Sequence, residues 1–304
     1  MNAAMQHDAL RGRLLEGESM ARYTSWRVGG PAERLYLPAD REDLLAFLAQ
    51  LPPDEPLHWI GLGSNLLVRD GGLRGTVVCL HRSLDGLEQP SEGVLQAEAG
   101  LHCARLAKFC ERSGLAGLGF MAGIPGTVGG ALAMNAGAWG GETWPAVIEA
   151  EVALRGGGTR WLARDTVDFG YRHVALPADV LGFIAARFAV APDTDGSQAA
   201  ATRTQLARRK ATQPVGRPSA GSTFRNPPGD FAARLIEAAG LKGYAVGGAR
   251  VAEQHANFLL TEAGATAADV EALIGHVQAT VAELTGIRLE PEVRIVGELS
   301  EDRP

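Results

Sequence analysis

Three polar side chains stand in apolar or rigid surroundings where they could do chemistry: Arg172, Ser222 and Glu292. Arg172 follows Phe169-Gly170-Tyr171, and its planar fork could clamp a carboxylate or an enolate through two hydrogen bonds, or close a structural ion pair. Ser222 lies in Pro218-Ser219-Ala220-Gly221-Ser222-Thr223-Phe224-Arg225-Asn226-Pro227, a proline- and glycine-bounded loop suited to holding a hydroxyl in place. It could act as an acid, as a nucleophile or as a helix cap. No GxSxG elbow surrounds it and no histidine is paired with it by spacing, which argues against a serine hydrolase. Glu292, in Glu290-Pro291-Glu292-Val293-Arg294, is either a surface acid at a strand end or, if buried beside a substrate carboxylate, an acid with a shifted charge state. His173 and His255 could titrate usefully, and hydrogen-bonded structural roles suit them equally.

Two glycine-rich turns offer backbone rather than side-chain chemistry. Gly117 to Gly141 contains nine glycines in 25 residues, with Ile124, Val128, Leu132 and Met134 among them to be buried. Consecutive amides in such a turn make a nest for an anion or an electron-rich ring, whereas close packing of elements without any ligand is the alternative. Ile124-Pro125-Gly126 reads as a rigid turn, and the residues up to Met134 as a short helix whose start points back at the bound group. The other turn, Gly61-Leu62-Gly63-Ser64-Asn65, lies between two strands. It lacks the third glycine and the following helix of a Rossmann fingerprint, so it suits phosphate without being a dinucleotide motif.

The totals bound the reading. The chain has 304 residues, a net charge of −6, 46% hydrophobic residues and 39 glycines, enough for two or three domains with cores and lacking a general nucleic-acid surface. Three cysteines (Cys79, Cys103, Cys110), with no CxxC and no histidine at ligand spacing, argue against a disulfide framework or a metal site. No apolar run reaches the roughly 18 residues of a membrane span, and the N-terminus lacks a signal-peptide core, so the expected location is cytoplasmic.

The elements that position these residues follow from patterning. Residues 1–20 read as a helical segment. Asp40 caps a helix to Leu51, and strands are expected at 57–60, 76–80 and 94–99. A helix over 101–113 ends at Gly114, with Cys103 and Cys110 on its buried face. A hairpin joins 147–154 to 159–163, and a strand covers 182–190. Residues 192–201 read as a linker. Beyond a basic helix come helices from Gly229 and, with a capping box of Thr266 and Asp269, from 266 to Gly286; a last strand closes the chain.

Taken together, GLGSNLLV at 61–68, GIPGTVGGALAMNAGAWG at 123–140, FGYR at 169–172, PSAGSTFRNP at 218–227, HANF at 255–258 and LEPEVRIVG at 289–297 resemble the UDP-N-acetylenolpyruvoylglucosamine reductase family, in its order and over Thr24 to Gly297. The resemblance implies an α+β chain: an FAD-binding domain of the vanillyl-alcohol-oxidase (PCMH) type with two α+β subdomains over 21–191, then a C-terminal α+β substrate-binding domain over 202–304. It implies NADPH-dependent, FAD-mediated reduction of an enolpyruvyl UDP-sugar to UDP-N-acetylmuramate in peptidoglycan synthesis. The implied partners are that UDP-sugar and NADPH, with no nucleic acid, membrane, metal or obligate protein partner.

By position, Gly61, Gly63, Ser64 and Asn65 would hold the FAD diphosphate, and Gly123, Ile124, Pro125, Gly126, Thr127, Val128 and Gly129 would line the cofactor with Asn135, Ala136 and Gly137 nearby. Arg172 and Glu292 match the family's catalytic pair, Ser222 its proton donor, and Arg225 and Asn226 its contacts to the substrate diphosphate. Trp139 stands where tyrosine is usual and Arg225 where lysine is frequent. The short connection after Arg172 matches the family's shorter type, without a lid insertion. Two rival classes are an oxidase of the same fold, with rapid reaction of its reduced flavin with oxygen, and a nucleotide-sugar-binding protein without turnover.

Overall fold

Two separate hydrophobic cores form from interleaved stretches of the chain. In the computed structural model, which describes residues 10–300, one unit comprises Met1–Glu16, Arg34–Gly61 and Gly75–Leu206, and the other Gly17–Glu33, Leu62–Arg74 and Ala207–Pro304.

The first unit is built on a five-stranded antiparallel sheet in the order Thr159–Ala163, Val147–Leu154, Val180–Ala189, Val94–Glu98, Leu87–Ser91. Ala150, Ala186 and Ala97 sit side by side across its three central strands, all buried. Helix Val128–Met134 packs on Val180–Ala189. Helix Cys103–Arg112 buries Cys103, Leu106, Ala107 and Cys110, as its spacing predicts. Burial pushes the Cys103 thiol up to about 12 and Cys110 up to about 11, which removes both from thiolate chemistry. Helix Arg41–Gln50 begins at Asp40, whose carboxylate accepts the Asp43 amide at 3.0 Å. Parallel pairing sets Leu57–Ile60 beside Leu73–Cys79, Leu57 opposite Thr76 and Ile60 opposite Cys79.

In the second unit, helix Ala267–Thr285 turns Val270, Leu273, Ile274, Val277 and Val281 inward against Trp26, Leu67 and Phe224. Its capping box of Thr266 and Asp269 is present, and Asp70 accepts the amides of Ala267 at 3.0 Å and Ala268 at 2.9 Å. A three-stranded antiparallel sheet joins Ala245–Val246, Ala249–Val251 and Leu259–Thr261, and Arg294–Val296 pairs in parallel with Leu66–Val68.

Three expectations from patterning are corrected. The helical segment over 1–20 lies partly outside the described residues, and its described part contains the strand Arg13–Ser19 in a sheet with Pro31–Leu37, Leu73–Cys79 and Leu57–Ile60. Gly12 and Gly17 weaken any helix there, and a Cβ at Gly12 would lie 2.6 Å from the Tyr36 hydroxyl and an Asp43 carboxylate oxygen. The expected linker at 192–201 is structured: Pro192 pairs with Leu115, and a helix runs Ser197–Thr212 with its first amides on Asp193. Alanine-rich sequence favours helix, and the aspartate starts it. The linear boundary between two domains gives way to interleaving, because Trp26 and Leu67 are buried with Val270 and Leu273, and the Trp26 indole N–H donates to the Leu259 carbonyl at 2.7 Å.

Candidate active site

In the first unit the glycine-rich stretch is fixed mostly by the chain itself. A Cβ at Gly61 would fall inside contact distance of Thr127 Oγ1, so the two glycine motifs meet only because Gly61 has no side chain. The Thr127 hydroxyl caps the helix Val128–Met134 through the Gly130 amide at 3.4 Å. The amides of Val128 and Gly129 donate to the carbonyls of Leu101 and Ala99, both at 2.8 Å. The first three amides inside this helix are thus spent within the chain, and only the N-cap residue Thr127 keeps its own amide for the bound group the sequence leads one to expect there. Ile124 and Val128 bury their side chains in the core. At Gly123 a Cβ would meet Ala138 at 2.5 Å and the Trp139 ring at 3.1 Å, so close packing accounts for that glycine too. What is left over is a pair of consecutive amides, Gly126 and Thr127, with no acceptor within the chain among the described residues.

Arg172 occupies the second place of a two-residue turn between the strands Asp168–Gly170 and His173–Ala175, with φ at 54°. That left-handed conformation costs a non-glycine residue of order 1 kcal/mol and is held by its surroundings. The guanidinium donates to the carbonyls of Asn135 at 3.4 Å and Gly137 at 3.1 Å, and its carbon lies 5.0 Å from the centre of the Tyr171 ring. Asn135, fully buried and also left-handed at φ 45°, ends the helix Val128–Met134. Its amide donates to the Gly170 carbonyl at 3.0 Å and to Glu142 at 2.9 Å, and its oxygen accepts the Trp144 amide at 2.9 Å. Both of its N–H groups are thus used inside the protein. Asn135 connects the glycine-rich stretch to the Arg172 turn, and Ala136 and Gly137 continue into the short hairpin that receives Arg172.

In the second unit Gly63 is buried with φ at 57°, and its carbonyl accepts the Ser25 amide at 3.3 Å. Gly63 and Ser64 contribute a second pair of consecutive amides without an acceptor in the chain among the described residues. The Asn65 side chain donates to the Glu292 carbonyl at 3.0 Å, and the Arg294 amide returns to the Asn65 carbonyl at 3.0 Å. Glu292 in turn donates its amide to the Thr223 carbonyl at 2.8 Å, and Arg225 its amide to the Glu290 carbonyl at 2.9 Å. Ser64–Asn65, Ser222 and Glu292 are thereby brought together on one backbone network. Ser222 is half-buried and its hydroxyl has no partner among the described residues, so it is no helix cap.

Asn226, expected at the substrate, is exposed and accepts the Ala232 amide at 3.1 Å, bonding the start of the helix Ala232–Ala238. His255 is half-buried and edge-on to Phe258 at 4.9 Å; burial lowers its pKa and favours the neutral ring. His173 lies exposed in the Arg172 hairpin. Sequence reasoning gave no role to Tyr23–Trp26, which carries the Gly63 turn, or to Asn257, which it noted only within the HANF motif and which is described below. The only signal for the former was a turn-rich composition ahead of Gly29-Gly30-Pro31.

In each unit, a pair of neighbouring amides without an acceptor among the described residues is a donor set that phosphate oxygens take readily, so the residues present fit a phosphate-bearing cofactor. A profile described as FAD binding domain matches residues 32–163, and with the mixed α and β fold it defines a flavin-dependent oxidoreductase. A second profile, UDP-N-acetylenolpyruvoylglucosamine reductase, C-terminal domain, matches residues 213–296. The UDP-N-acetylenolpyruvoylglucosamine reductase of Methylococcus capsulatus is 56% identical over 288 residues, 95% of this chain and 94% of its own. That of Alkalilimnicola ehrlichii is 57% identical over 287 residues, covering 94% and 96%. The crystal structure of the enzyme from Thermus caldophilus aligns with a TM-score of 0.81 at 33% identity, covering 94% of this chain and 99% of that one. The chain belongs to the UDP-N-acetylenolpyruvoylglucosamine reductase family. Among the described residues no helix is long and apolar enough to cross a membrane.

Proposed function

We infer that the protein carries out NADPH-dependent, FAD-mediated reduction of UDP-N-acetyl-3-O-(1-carboxyvinyl)-glucosamine to UDP-N-acetylmuramate, a step of peptidoglycan synthesis. When bound, FAD supplies the hydride transfer from NADPH to the enolpyruvyl group. The amides of Gly126 and Thr127, in the unit that carries the glycine-rich stretch, are groups suited to its phosphates; those of Gly63 and Ser64 make a donor pair of the same kind in their own unit.

The remaining chemistry falls to side chains. Negative charge develops through the enolpyruvyl α-carbon into the carboxylate, and Arg172 stabilises it with a guanidinium already aimed by two carbonyls. One such preorganised donor is worth about 3–4 kcal/mol. Ser222 gives its hydroxyl proton to that carbon. A serine is a weak acid, so it serves only if held against a strongly basic enolate. Glu292 offers a carboxyl group to hydrogen-bond the substrate carboxylate. Arg225 faces the substrate's diphosphate region; Asn226, already bonded to the helix start, has a structural use as well.

The observation that most supports these roles is the hydrogen bond from the Glu292 amide to the Thr223 carbonyl, which makes the neighbour of Ser222 and the backbone of Glu292 direct partners. The test is NADPH oxidation with and without the enolpyruvyl UDP-sugar. Oxidation that requires the sugar and yields UDP-N-acetylmuramate is expected; oxidation independent of it, with oxygen consumed, would indicate an oxidase instead.

A further inference from the structure

Asn257 is 3% exposed and uses its whole side chain on one residue of the Ser222 loop. Its oxygen accepts the Phe224 amide at 2.9 Å and its nitrogen donates to the Phe224 carbonyl at 2.8 Å, and these two partners fix the orientation of the amide. Its own carbonyl accepts the Thr223 amide at 2.8 Å. Thr223 then passes the constraint on, because its carbonyl receives the Glu292 amide at 2.8 Å. Phe224, 1% exposed, pins the same segment in the core with Leu235, Ile236 and Leu273. The two residues after Ser222 are thus gripped by Asn257 on one side and by Glu292 on the other. Ser222 itself follows Gly221, whose φ of 73° turns the chain just before the hydroxyl.

We propose that Asn257 is a positioning residue for the half-reaction in which the enolpyruvyl substrate reoxidises the flavin: its side-chain clamp on Phe224 sets both the Ser222 hydroxyl and the Glu292 backbone. The role rests on Ser222 being the proton donor. It is separable from general folding because reduction of flavin by NADPH requires no proton from Ser222, whereas reduction of the enolpyruvyl group does. A misplacement of about 1 Å at a reacting group can cost on the order of 10²-fold in rate.

The experiment compares the flavin-loaded parent with Asn257→Leu, which fills the space but makes neither bond, Asn257→Ser, which can make one, and Ser222→Ala. Stopped-flow absorbance follows flavin reduction by NADPH and reoxidation by the enolpyruvyl substrate separately. In Asn257→Leu, reduction should stay within about threefold of the parent while reoxidation falls about 10- to 100-fold, with Asn257→Ser between. Equal slowing of both half-reactions, or unchanged reoxidation where Ser222→Ala is slow, overturns the positioning role. Unchanged reoxidation in Ser222→Ala instead overturns the reading of Ser222, and the role of Asn257 with it. Should neither Asn257 variant retain flavin, amide hydrogen exchange in the parent decides. Protection at Thr223 and Phe224 comparable to the core of helix Ala267–Thr285 supports the clamp, and exchange within seconds overturns it.

Discussion

Arg172 and Ser222 are both presented from irregular backbone, and they are fixed in opposite ways. At Arg172 the side-chain tip itself is anchored, on the carbonyls of Asn135 and Gly137, and the residue accepts a left-handed backbone to reach them. At Ser222 the side chain has no partner among the described residues, the left-handed position is given to Gly221, and the backbone of the next two residues is tied instead. A buried asparagine is the tie in each case, Asn135 in one unit and Asn257 in the other. The difference suits the chemistry proposed for each group. In the proposed roles, a guanidinium that is to stabilise charge benefits from being aimed before the charge forms, whereas a hydroxyl that is to give up its proton cannot have that proton committed to the protein.

The strongest way to break this comparison is Ser222→Ala. Reoxidation of reduced flavin by the enolpyruvyl substrate should fall by about 10²–10⁴-fold while reduction by NADPH keeps its parental rate, both followed by stopped-flow absorbance. Next, Arg172→Lys keeps the charge but loses the fork that spans two carbonyls. Steady-state reduction of the UDP-sugar should fall by on the order of 10²-fold, and a loss of less than about threefold would remove the anchored clamp.

Asn135→Ala tests the tie itself. Three hydrogen bonds of a fully buried amide disappear, leaving the Gly170 carbonyl, Glu142 and the Trp144 amide to be satisfied otherwise. Urea unfolding should show a loss of about 2–4 kcal/mol, and a loss below about 1 kcal/mol would mean that the turn stands without it. The smallest effect is expected at Gly221→Ala. Nothing lies within 4 Å of a Cβ placed there, so only its φ of 73° resists the change. The cost should be about 1 kcal/mol in stability; a variant that unfolds outright would show that Gly221 does more than turn the chain.

Much of both sites was legible in the sequence because it depends on local rules. Asp40, Thr266 with Asp269, and Gly286 declare their caps through short-range hydrogen bonds, and these appear as expected. Arg172 and Ser222 stood out as polar groups bounded by turn residues. The function of the glycines was harder to read. Composition suggested a nest, yet Gly61 and Gly123 are required by Thr127 Oγ1 and by Ala138 with Trp139, partners not implied by composition. Asn257 stood in the HANF motif at 255–258, but its role was not legible there, since an asparagine between alanine and phenylalanine becomes a clamp only when Phe224, 33 residues earlier, is folded against it.

The sequence by itself determined the helices with their caps, the buried face of Cys103–Arg112, the hairpin at 147–163 and, through its ordered motifs, the family and its chemistry. Those features depend on periodicity, on φ preferences and on hydrogen bonds spanning a few residues. Tertiary structure alone decided that Gly17–Glu33 and Leu62–Arg74 join the C-terminal residues, that Arg13–Ser19 is a strand, and which amides of the glycine turns find no acceptor among the described residues. The reason is physical: a strand needs its neighbour, a buried indole needs its carbonyl, and an amide is unspent only after the rest of the chain has chosen its partners.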